Sequence, residues 1–232
     1  MKSGLCIDTS NQPMSIALYK DDVMAAEMTI NIKRNHSVQL MPNIEHLMNQ
    51  VNLKPNELEQ IVVAEGPGSF TGIRIGMTTA KTLAWSLNIP IKTVSSLELV
   101  ASSLLYHNGL VSPFFDARRG NVYAGLYRVA EGHIERVEDD CNIEMTSWLE
   151  KVSHYNEKVL FVSPNGGSFK DEINQSGGVW VTQPFNLPKA SLLWQLAVSK
   201  KETPIHLVKP NYLRITEAEA NLQKKSEEGH KS

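Results

Sequence analysis

The sequence predicts an α/β protein made of two duplicated lobes, each a mixed sheet with antiparallel edge strands and flanking helices. The first observation is that the order strand, strand, strand, helix, strand, glycine-rich turn, helix appears twice along the 232 residues. The second is that the first strand of each repeat, at 4–8 and 111–116, is apolar and ends in Asp. One matching element would be weak evidence, but a whole series of elements in the same order indicates a duplicated layered unit.

The first three strands are joined by short turns. Residues 4–8 form an apolar run, and residues 14–19 alternate apolar and polar side chains with the period of a half-buried strand. A third strand is expected through Ala26, Met28 and Ile30. Three consecutive strands with tight turns predict an antiparallel meander.

A long helix is expected over 37–51, where apolar residues recur at helical spacing. Ser37 is the expected N-cap residue. Pro42 lies about one turn inside this segment, so we expect it to bend the helix or to delay its start.

A glycine-rich turn separates the fourth strand, expected at 61–64, from a second helix at 71–87. Ser69 or Thr71 is expected to cap this helix. A short strand at 91–94 then leads to the last helix of the first repeat.

Two capping boxes are predicted from the spacing of hydroxyl and carboxylate side chains. Ser95 and Glu98 have this spacing at the start of the last helix of the first repeat. Ser147 and Glu150 have it in the second repeat, where Thr146 is an alternative cap.

The second repeat follows the order of the first. Its strands are expected at 111–116, 122–129, 134–145 and 159–163. A glycine-containing turn at 164–167 precedes a helix, and a further helix of the second lobe is expected over 187–200.

The predicted domain division places the first lobe at 1–105 and the second at 106–209. A C-terminal helix at about 210–224 is expected to join the first lobe. Residues 225–232 are polar and are expected to form a disordered tail.

The composition is typical of a soluble globular protein, with 41% hydrophobic and 21% charged residues. A net charge of −2 excludes a strong field that would draw the whole chain to nucleic acid or to a membrane. Two isolated cysteines predict neither a disulfide framework nor a zinc site. No apolar run is long enough to span a membrane, so we expect a reduced, cytoplasmic protein.

Six strings carry a family resemblance, and they are CIDTS, SIAL, NHSVQLMP, GPGSFTGIRIG, DARRGNVYAGLY and PNYLR. In this order and spacing they resemble the TsaB (YeaZ) family of bacterial tRNA-modification factors, from the first strand to about Arg214. GPGSFTGIRIG is long and specific, whereas the other strings are weak alone. The organisation is also similar to the superfamily of actin, sugar kinases and Hsp-seventy proteins, which implies two actin-like (ribonuclease H-like) lobes.

The resemblance implies a non-catalytic accessory subunit that is required for the threonylcarbamoyladenosine modification of tRNA. Such a subunit binds and activates a TsaD-like catalytic subunit of the same fold, together with a TsaE-like ATPase, and forms a homodimer when alone. It has no catalytic residue and no intrinsic cofactor; ATP or ADP with Mg²⁺ would bind at the interface of the complex, and tRNA would be met only indirectly. The alternative is a stand-alone ATPase or phosphotransferase of the actin-like class.

A metallopeptidase, the label that relatives of this family have carried, is excluded by the sequence. TsaD-type paralogues bind a metal through two His residues at i and i+4, a spacing that places both imidazoles on one helix face. His36 stands where the second of these would be, but Ile32 occupies the first position and cannot bind a metal. The sequence therefore predicts no metal site.

A relic nucleotide-binding cleft is implied by the nucleotide-binding relatives, in which the strand-end Asp residues face the space between the lobes and manage Mg²⁺. The implied nucleotide-binding residues are Asp8, Thr9, Ser10, Asp116, Gly166 and Gly167. In the alternative interpretation, the two Asp side chains only cap turns. The segment after Asp8 lacks the glycine-rich hairpin that wraps phosphates, and Pro13 has no N–H.

The motif GPGSFTGIRIG, at 66–76, also has two interpretations. A glycine-rich loop before a helix can bind an anion, but this one lacks the Gly-Lys-Ser/Thr ending of a phosphate loop. Each Gly inside a helix costs about 1 kcal/mol, so we expect close approach of another backbone in compensation. That backbone belongs either to a partner or to the lobe's own sheet.

We predict that the helices at 37–51 and 71–87 form a subunit interface, as the resemblance implies. The second helix is apolar nearly all round, which indicates that it is covered on more than one side. The predicted interface residues are His36, Leu40, Met41, Ile44, Gly72, Ile73, Gly76, Met77, Ala80 and Ala84. Without a TsaD-like subunit, the same surface would form a symmetric homodimer.

Arg118 and Arg119 stand in a turn near the expected cleft. Paired arginines can contact phosphate or RNA, although solvated arginines in turns are commoner. The turn at 164–167 carries less information, because such turns are frequent between any strand and helix.

Overall fold

The computed structural model describes residues 2–32 and 35–213, which form two five-stranded sheets. The first sheet contains β1 (Gly4–Asp8), β2 (Met14–Lys20), β3 (Val23–Ile30), β4 (Gln60–Ala64) and β5 (Ile91–Val94). The second contains β6 (Gly109–Asp116), β7 (Asn121–Ala130), β8 (His133–Glu144), β9 (Val159–Val162) and β10 (Val179–Trp180). The two sheets with their covering helices are the first and second lobes.

The two sheets have the same topology. The strand order is β3-β2-β1-β4-β5 in the first and β8-β7-β6-β9-β10 in the second, read from the antiparallel edge. In each sheet the first three strands pair antiparallel, and the last two extend it in parallel. The predicted duplicated α/β fold is confirmed, although the sequence does not predict the two-residue strand β10.

Six α-helices lie in the described part of the chain, namely α1 (His36–Gln50), α2 (Phe70–Leu87), α3 (Ser96–Ser102), α4 (Met145–Ser153), α5 (Lys170–Gln175) and α6 (Ser191–Leu196). Helices α1 and α2 bury apolar side chains against one face of the first sheet. Helices α4 and α5 do the same on the second sheet. Within residues 2–32 and 35–213, no helix is long and apolar enough to cross a membrane.

The helix starts confirm some predicted caps and correct others. In α1 the side chain of Asn35 accepts a hydrogen bond from the Ser37 N–H at 3.1 Å, so Asn35 is the N-cap and the prediction of Ser37 is wrong. Pro42 lies inside α1 without delaying its start. Ser69 and Ser95 cap α2 and α3 as predicted.

The capping box predicted at α3 forms only in part. The Ser95 hydroxyl oxygen accepts hydrogen bonds from the N–H groups of Leu97 and Glu98. The Glu98 carboxylate accepts from Lys200 Nζ at 2.8 Å instead of reaching back to the cap. The carboxylate therefore links distant parts of the chain.

The capping box predicted at α4 does not form. The Met145 N–H donates to the Gly120 carbonyl at 2.9 Å and the Met145 side chain is buried, so β8 passes directly into α4. Thr146 and Ser147 therefore lie inside the helix and cap nothing.

The helix predicted over 187–200 is shorter and packs on the other lobe. Its α-helical part, α6, covers the face of the first sheet opposite α1 and α2, where Leu193 packs in one cluster with Cys6. Trp194 stacks on Tyr19 of β2 with ring centroids 4.9 Å apart. Apolar spacing predicts that a helix forms, but it does not say which sheet the helix covers.

Helix α3 is buried between the two sheets along its whole length. Leu99 packs in the cluster of the first sheet, and Leu97 and Val100 pack in a cluster of the second. Beside it, the buried carboxylate of Asp140 on β8 accepts a hydrogen bond from the Ser95 hydroxyl at 2.5 Å. The two lobes therefore share apolar and polar contacts around one helix.

The predicted boundary between 105 and 106 stays a prediction, although α6 returns to the first lobe from the segment assigned to the second. Of the helix predicted at about 210–224, the described residues 210–213 are not helical. The rest of it, and the tail at 225–232, lie outside the described residues. The Asn211 N–H donates to the Glu65 carbonyl at 2.7 Å, which holds this segment against the first lobe.

Candidate functional site

The Asp at the end of β1 is buried and holds a turn. Only 1% of Asp8 is exposed, and its carboxylate accepts a hydrogen bond from the Ser10 N–H at 2.8 Å. Burial raises the pKa of Asp8, against the opposing effect of the Ser10 N–H hydrogen bond and of nearby His36. Because Asp8 is enclosed, it cannot present its oxygens to a hydrated Mg²⁺ ion.

The glycine-rich turn and the start of α2 cover the segment that was predicted to bind phosphate. The Ser69 N–H donates to the Ser10 carbonyl at 2.7 Å, and the Thr9 hydroxyl donates to the Gly72 carbonyl at 2.7 Å. Gly68, with φ of 154°, lies so close that a Cβ there would overlap the Ser10 carbonyl oxygen. Thr9 and Ser10 are buried as a result and are closed to a nucleotide in this structure.

The Asp at the end of β6 holds the same kind of turn but remains partly accessible. The Asp116 carboxylate accepts from the Arg118 N–H at 2.7 Å, which repeats the bond of Asp8 to Ser10. The Asp116 N–H donates to the Asn165 side-chain oxygen at 3.2 Å. The alternative interpretation of the strand-end Asp residues, as turn caps, describes the geometry of both.

A cleft between the lobes, of about 450 Å³, lies in front of Asp116. Its polar lining includes Asn11, Ser69, Thr71, Asp116, Arg118 and Asn165. Gly166 is buried behind the cleft against Phe114, and Gly167 is exposed outside its lining. Of the six residues predicted to bind nucleotide, the structure therefore brings only Asp116 to the cleft.

Most residues predicted for the subunit interface belong to the core of the first lobe. Eight of the ten are buried within the chain, and these are Leu40, Ile44, Gly72, Ile73, Gly76, Met77, Ala80 and Ala84. The close approach that the helix glycines permit is to the chain itself, since Gly72 and Gly76 both face Thr9. These eight residues therefore lie in the interior of the lobe and not on its surface, where they were predicted. A partner surface on other residues of α1 and α2 stays a prediction.

The chain has recognisable relatives along most of its length. Residues 24–190 match the family model described as "TsaD: tRNA N6-adenosine threonylcarbamoyltransferase". Over 220 residues, 93% of this chain and 96% of the relative, the chain is 44% identical to the tRNA threonylcarbamoyladenosine biosynthesis protein TsaB of Bacillus subtilis. The chain belongs to the TsaB family. The TsaB protein of Escherichia coli is 27% identical over 219 residues, which are 90% of this chain and 94% of that protein.

Two solved structures share the fold of this TsaB-family chain. A Pseudomonas aeruginosa protein described as similar to peptidase YEAZ has a TM-score of 0.80 at 24% identity, covering 92% of this chain and 100% of the other. A structure described as YeaZ from Pseudomonas aeruginosa has a TM-score of 0.78 at 23% identity with the same coverage. At these identities the likeness concerns the fold.

His36, the lone imidazole of the segment NHSVQLMP, has a backbone partner. Its Nε2 lies 2.9 Å from the Asn11 carbonyl oxygen, so the ring joins the start of α1 to the turn after β1. Among residues 2–32 and 35–213, no group of three or more His, Cys, Asp or Glu side chains could hold a metal ion.

The exposed faces of α1 and α2 in this TsaB-family chain carry large apolar side chains. Trp85 is 75% exposed, Val38 67% and Met41 46%. Between the two helices, Met41 and Pro42 line a groove of about 470 Å³ together with Leu83 and Leu87. Sequence reasoning missed Trp85 and Val38, although their positions outside the buried stripe of each helix were the available signal.

Proposed function

We propose that this protein is a non-catalytic accessory subunit in the synthesis of threonylcarbamoyladenosine in tRNA, and that it binds and activates a TsaD-like catalytic subunit. The names of its TsaB relatives support the pathway. The match of residues 24–190 to a TsaD model means that this chain is related to the catalytic subunit that we propose as its partner. The observation that carries the proposal is the exposed apolar surface of α1 and α2.

This surface has the character of a docking site. Val38 and Met41 lie three residues apart on α1, so they share a face, and Trp85 stands on the outer face of α2. Met41 lines the apolar groove between the helices. Exposed apolar groups indicate a binding surface, and Trp is enriched among the residues that dominate binding energy. In the absence of the catalytic subunit, the same surface would pair two copies of this chain.

The interior of the cleft supports a non-catalytic role. Asp8 is buried in a turn, and Asp116 alone among the implied acidic residues lines the cleft. Asp116 is thus the one strand-end carboxylate in the cleft that could bind Mg²⁺, which proteins hold through one or two carboxylates together with phosphate oxygens. In this proposal, the ATPase activity of the complex belongs to a TsaE-like subunit, and ATP or ADP with Mg²⁺ binds where subunits meet.

The test is co-purification with a TsaD-like subunit and restoration of its threonylcarbamoyl transfer. Trp85→Glu puts a charge in place of the most exposed apolar side chain of α2, so we expect binding to weaken by about 2 kcal/mol or more and activation to fall in step. Glu150→Gln, at an exposed position on α4, is the control for a surface change and should leave both unchanged.

Two results would overturn the proposal. The first is a folded Trp85→Glu protein that binds and activates the TsaD-like subunit as the natural chain does. The second is a deletion strain whose tRNA keeps its normal level of threonylcarbamoyladenosine. Substitution of Gly76 is unsuited to this test, because a side chain there would overlap the Thr9 hydroxyl inside the lobe.

A further inference from the structure

A second groove lies along α2, where the segment at 206–212 packs against the helix. It encloses about 620 Å³ and shares no lining residue with the apolar groove between α1 and α2. Lys81 Nζ donates a hydrogen bond to the Val208 carbonyl at 2.7 Å, which fastens the segment to the helix. This basic groove is lined by Phe70, Arg74, Lys81, His206, Lys209 and Tyr212, among others.

The charge of the basic groove opposes the charge of the whole chain. Arg74, Lys81 and Lys209 bring three permanent positive charges, and no Asp or Glu is among the described lining residues. The chain as a whole has a net charge of −2. These three cations therefore create a local positive potential that attracts anions, on a chain whose net charge is negative.

Aromatic rings lie among these cations. Phe70 and Tyr212 have ring centroids 4.9 Å apart with planes inclined by 30°, and 44% and 40% of the two residues are exposed. The Arg74 guanidinium lies over the Phe70 ring at 5.1 Å from its centroid. Rings held in this way, with part of their surface open, can stack a further flat group at little entropic cost.

We propose that the basic groove binds an unpaired stretch of RNA, with phosphates on Arg74, Lys81 and Lys209 and a base stacked beside Phe70 and Tyr212. A groove that combines cations with aromatic rings can bind both parts of a single strand, the phosphates through the cations and a base through the rings. An acidic peptide would use the cations but leave the rings without a partner. Because tRNA is the RNA of the proposed function, this inference rests on that function and makes the contact with tRNA direct.

The first experiment measures binding of the full chain to an unmodified tRNA transcript by fluorescence anisotropy between about 50 and 200 mM salt. For single-stranded contacts, log K falls with log salt at about −0.7 per neutralised phosphate, so three cations give a slope near −2. Lys209→Ala should weaken binding and reduce the slope by about 0.7. Lys158→Ala, at an exposed lysine before β9, removes the same charge elsewhere and should change neither.

The second experiment tests the rings. Tyr212→Ala should weaken tRNA binding about fivefold or more with no change in the salt slope, because it removes stacking and not charge. Phe70→Leu keeps an apolar side chain at the start of α2 and removes the ring, so it separates stacking from packing. Each variant is compared with the natural chain by thermal unfolding, so a loss of fold is not mistaken for a loss of binding.

Three outcomes would overturn the inference. They are an unchanged salt slope in Lys209→Ala, unchanged affinity in both ring variants, and displacement of the tRNA by inorganic phosphate or polyglutamate at matched charge. The chain's co-purification with a TsaD-like subunit is measured in parallel. If the groove variants bind both that subunit and tRNA as the natural chain does, the basic groove is not the RNA site. The proposed function would not be affected by that result.

Discussion

The two Asp-ended strands show how one local structure can meet two different surroundings. Asp8 and Asp116 each accept a hydrogen bond from the N–H two residues later, at 2.8 and 2.7 Å. The turn after β1 is covered by the glycine-rich segment before α2, whereas the turn after β6 opens on the cleft. Both lobes therefore keep the same Asp turn. The loop that packs beside the turn determines whether the Asp carboxylate is accessible to a ligand.

The packing of the glycine-rich segment and α2 on the turn after β1 should be destabilised by any added side chain. Gly72→Val would place its Cβ against the Thr9 carbonyl oxygen, so we expect the free energy of unfolding to fall by about 3 kcal/mol. Urea unfolding followed by circular dichroism measures this. Gly167→Ala in the second lobe, where an added Cβ meets nothing within 4 Å, should change stability by less than about 0.5 kcal/mol. Equal effects of the two changes would contradict the comparison.

The two turns should also differ when the carboxylate is removed. Asp8→Ala leaves a buried Ser10 N–H without its partner, which should cost about 2 kcal/mol. Asp116→Ala should cost about 1 kcal/mol or less, because water reaches the Arg118 N–H in the exposed turn. The pair is compared by urea unfolding at one pH. A larger loss in the second lobe would mean that its turn is the more deeply structural one.

The raised pKa of Asp8 predicts a dependence on pH. An acid whose pKa is higher in the folded state stabilises the fold only while it is protonated, so this stability is lost as pH rises from about 3.8 through the folded pKa. Asp8→Asn keeps an oxygen for the Ser10 N–H without the charge. The variant should therefore gain stability relative to the natural chain as pH rises, and the gap should close in acid. A gap that is the same at every pH would show that Asp8 carries no such penalty.

The smallest expected effect concerns the open turn. Arg118 has φ of 71°, a left-handed conformation that a residue with a Cβ adopts at a cost. Arg118→Gly should therefore raise the free energy of unfolding by about 0.5 kcal/mol, after the larger entropy of glycine in the unfolded chain is subtracted. Thermal unfolding measures the change. A destabilised variant would indicate that the arginine side chain holds the turn.

The strands and the Asp turns could be predicted from the sequence because their signals are local. The alternation at 14–19 and the apolar run that ends in Asp8 identify β1 and β2 without any knowledge of the rest of the chain. The burial of Asp8 could not be predicted in this way, because it depends on Gly68 and Gly72, about sixty residues later. Distant packing also decides that α6 covers the first sheet.

The close approach at the glycine-rich motif could be predicted from the sequence, but the segment that makes the contact could not. The glycine-rich motif was expected to bring α2 close to another backbone, and the structure shows that this backbone is at Thr9 in the same chain. The small residues of α2 therefore specify its inner side. The exposed side of α2, which carries Trp85 and Arg74, can be identified only after the buried side is known.

Helix α3, enclosed by both sheets, limits how far the two halves of the chain can act separately. A fragment that ended after α3 would leave Leu97 and Val100 in water, and a fragment that began after it would lose the same packing from Val111 and Phe115. Although the chain repeats one unit twice, neither copy has a complete interior without the helix between them. The protein should therefore melt in a single step, and rocking of one half against the other would require this shared interior to break.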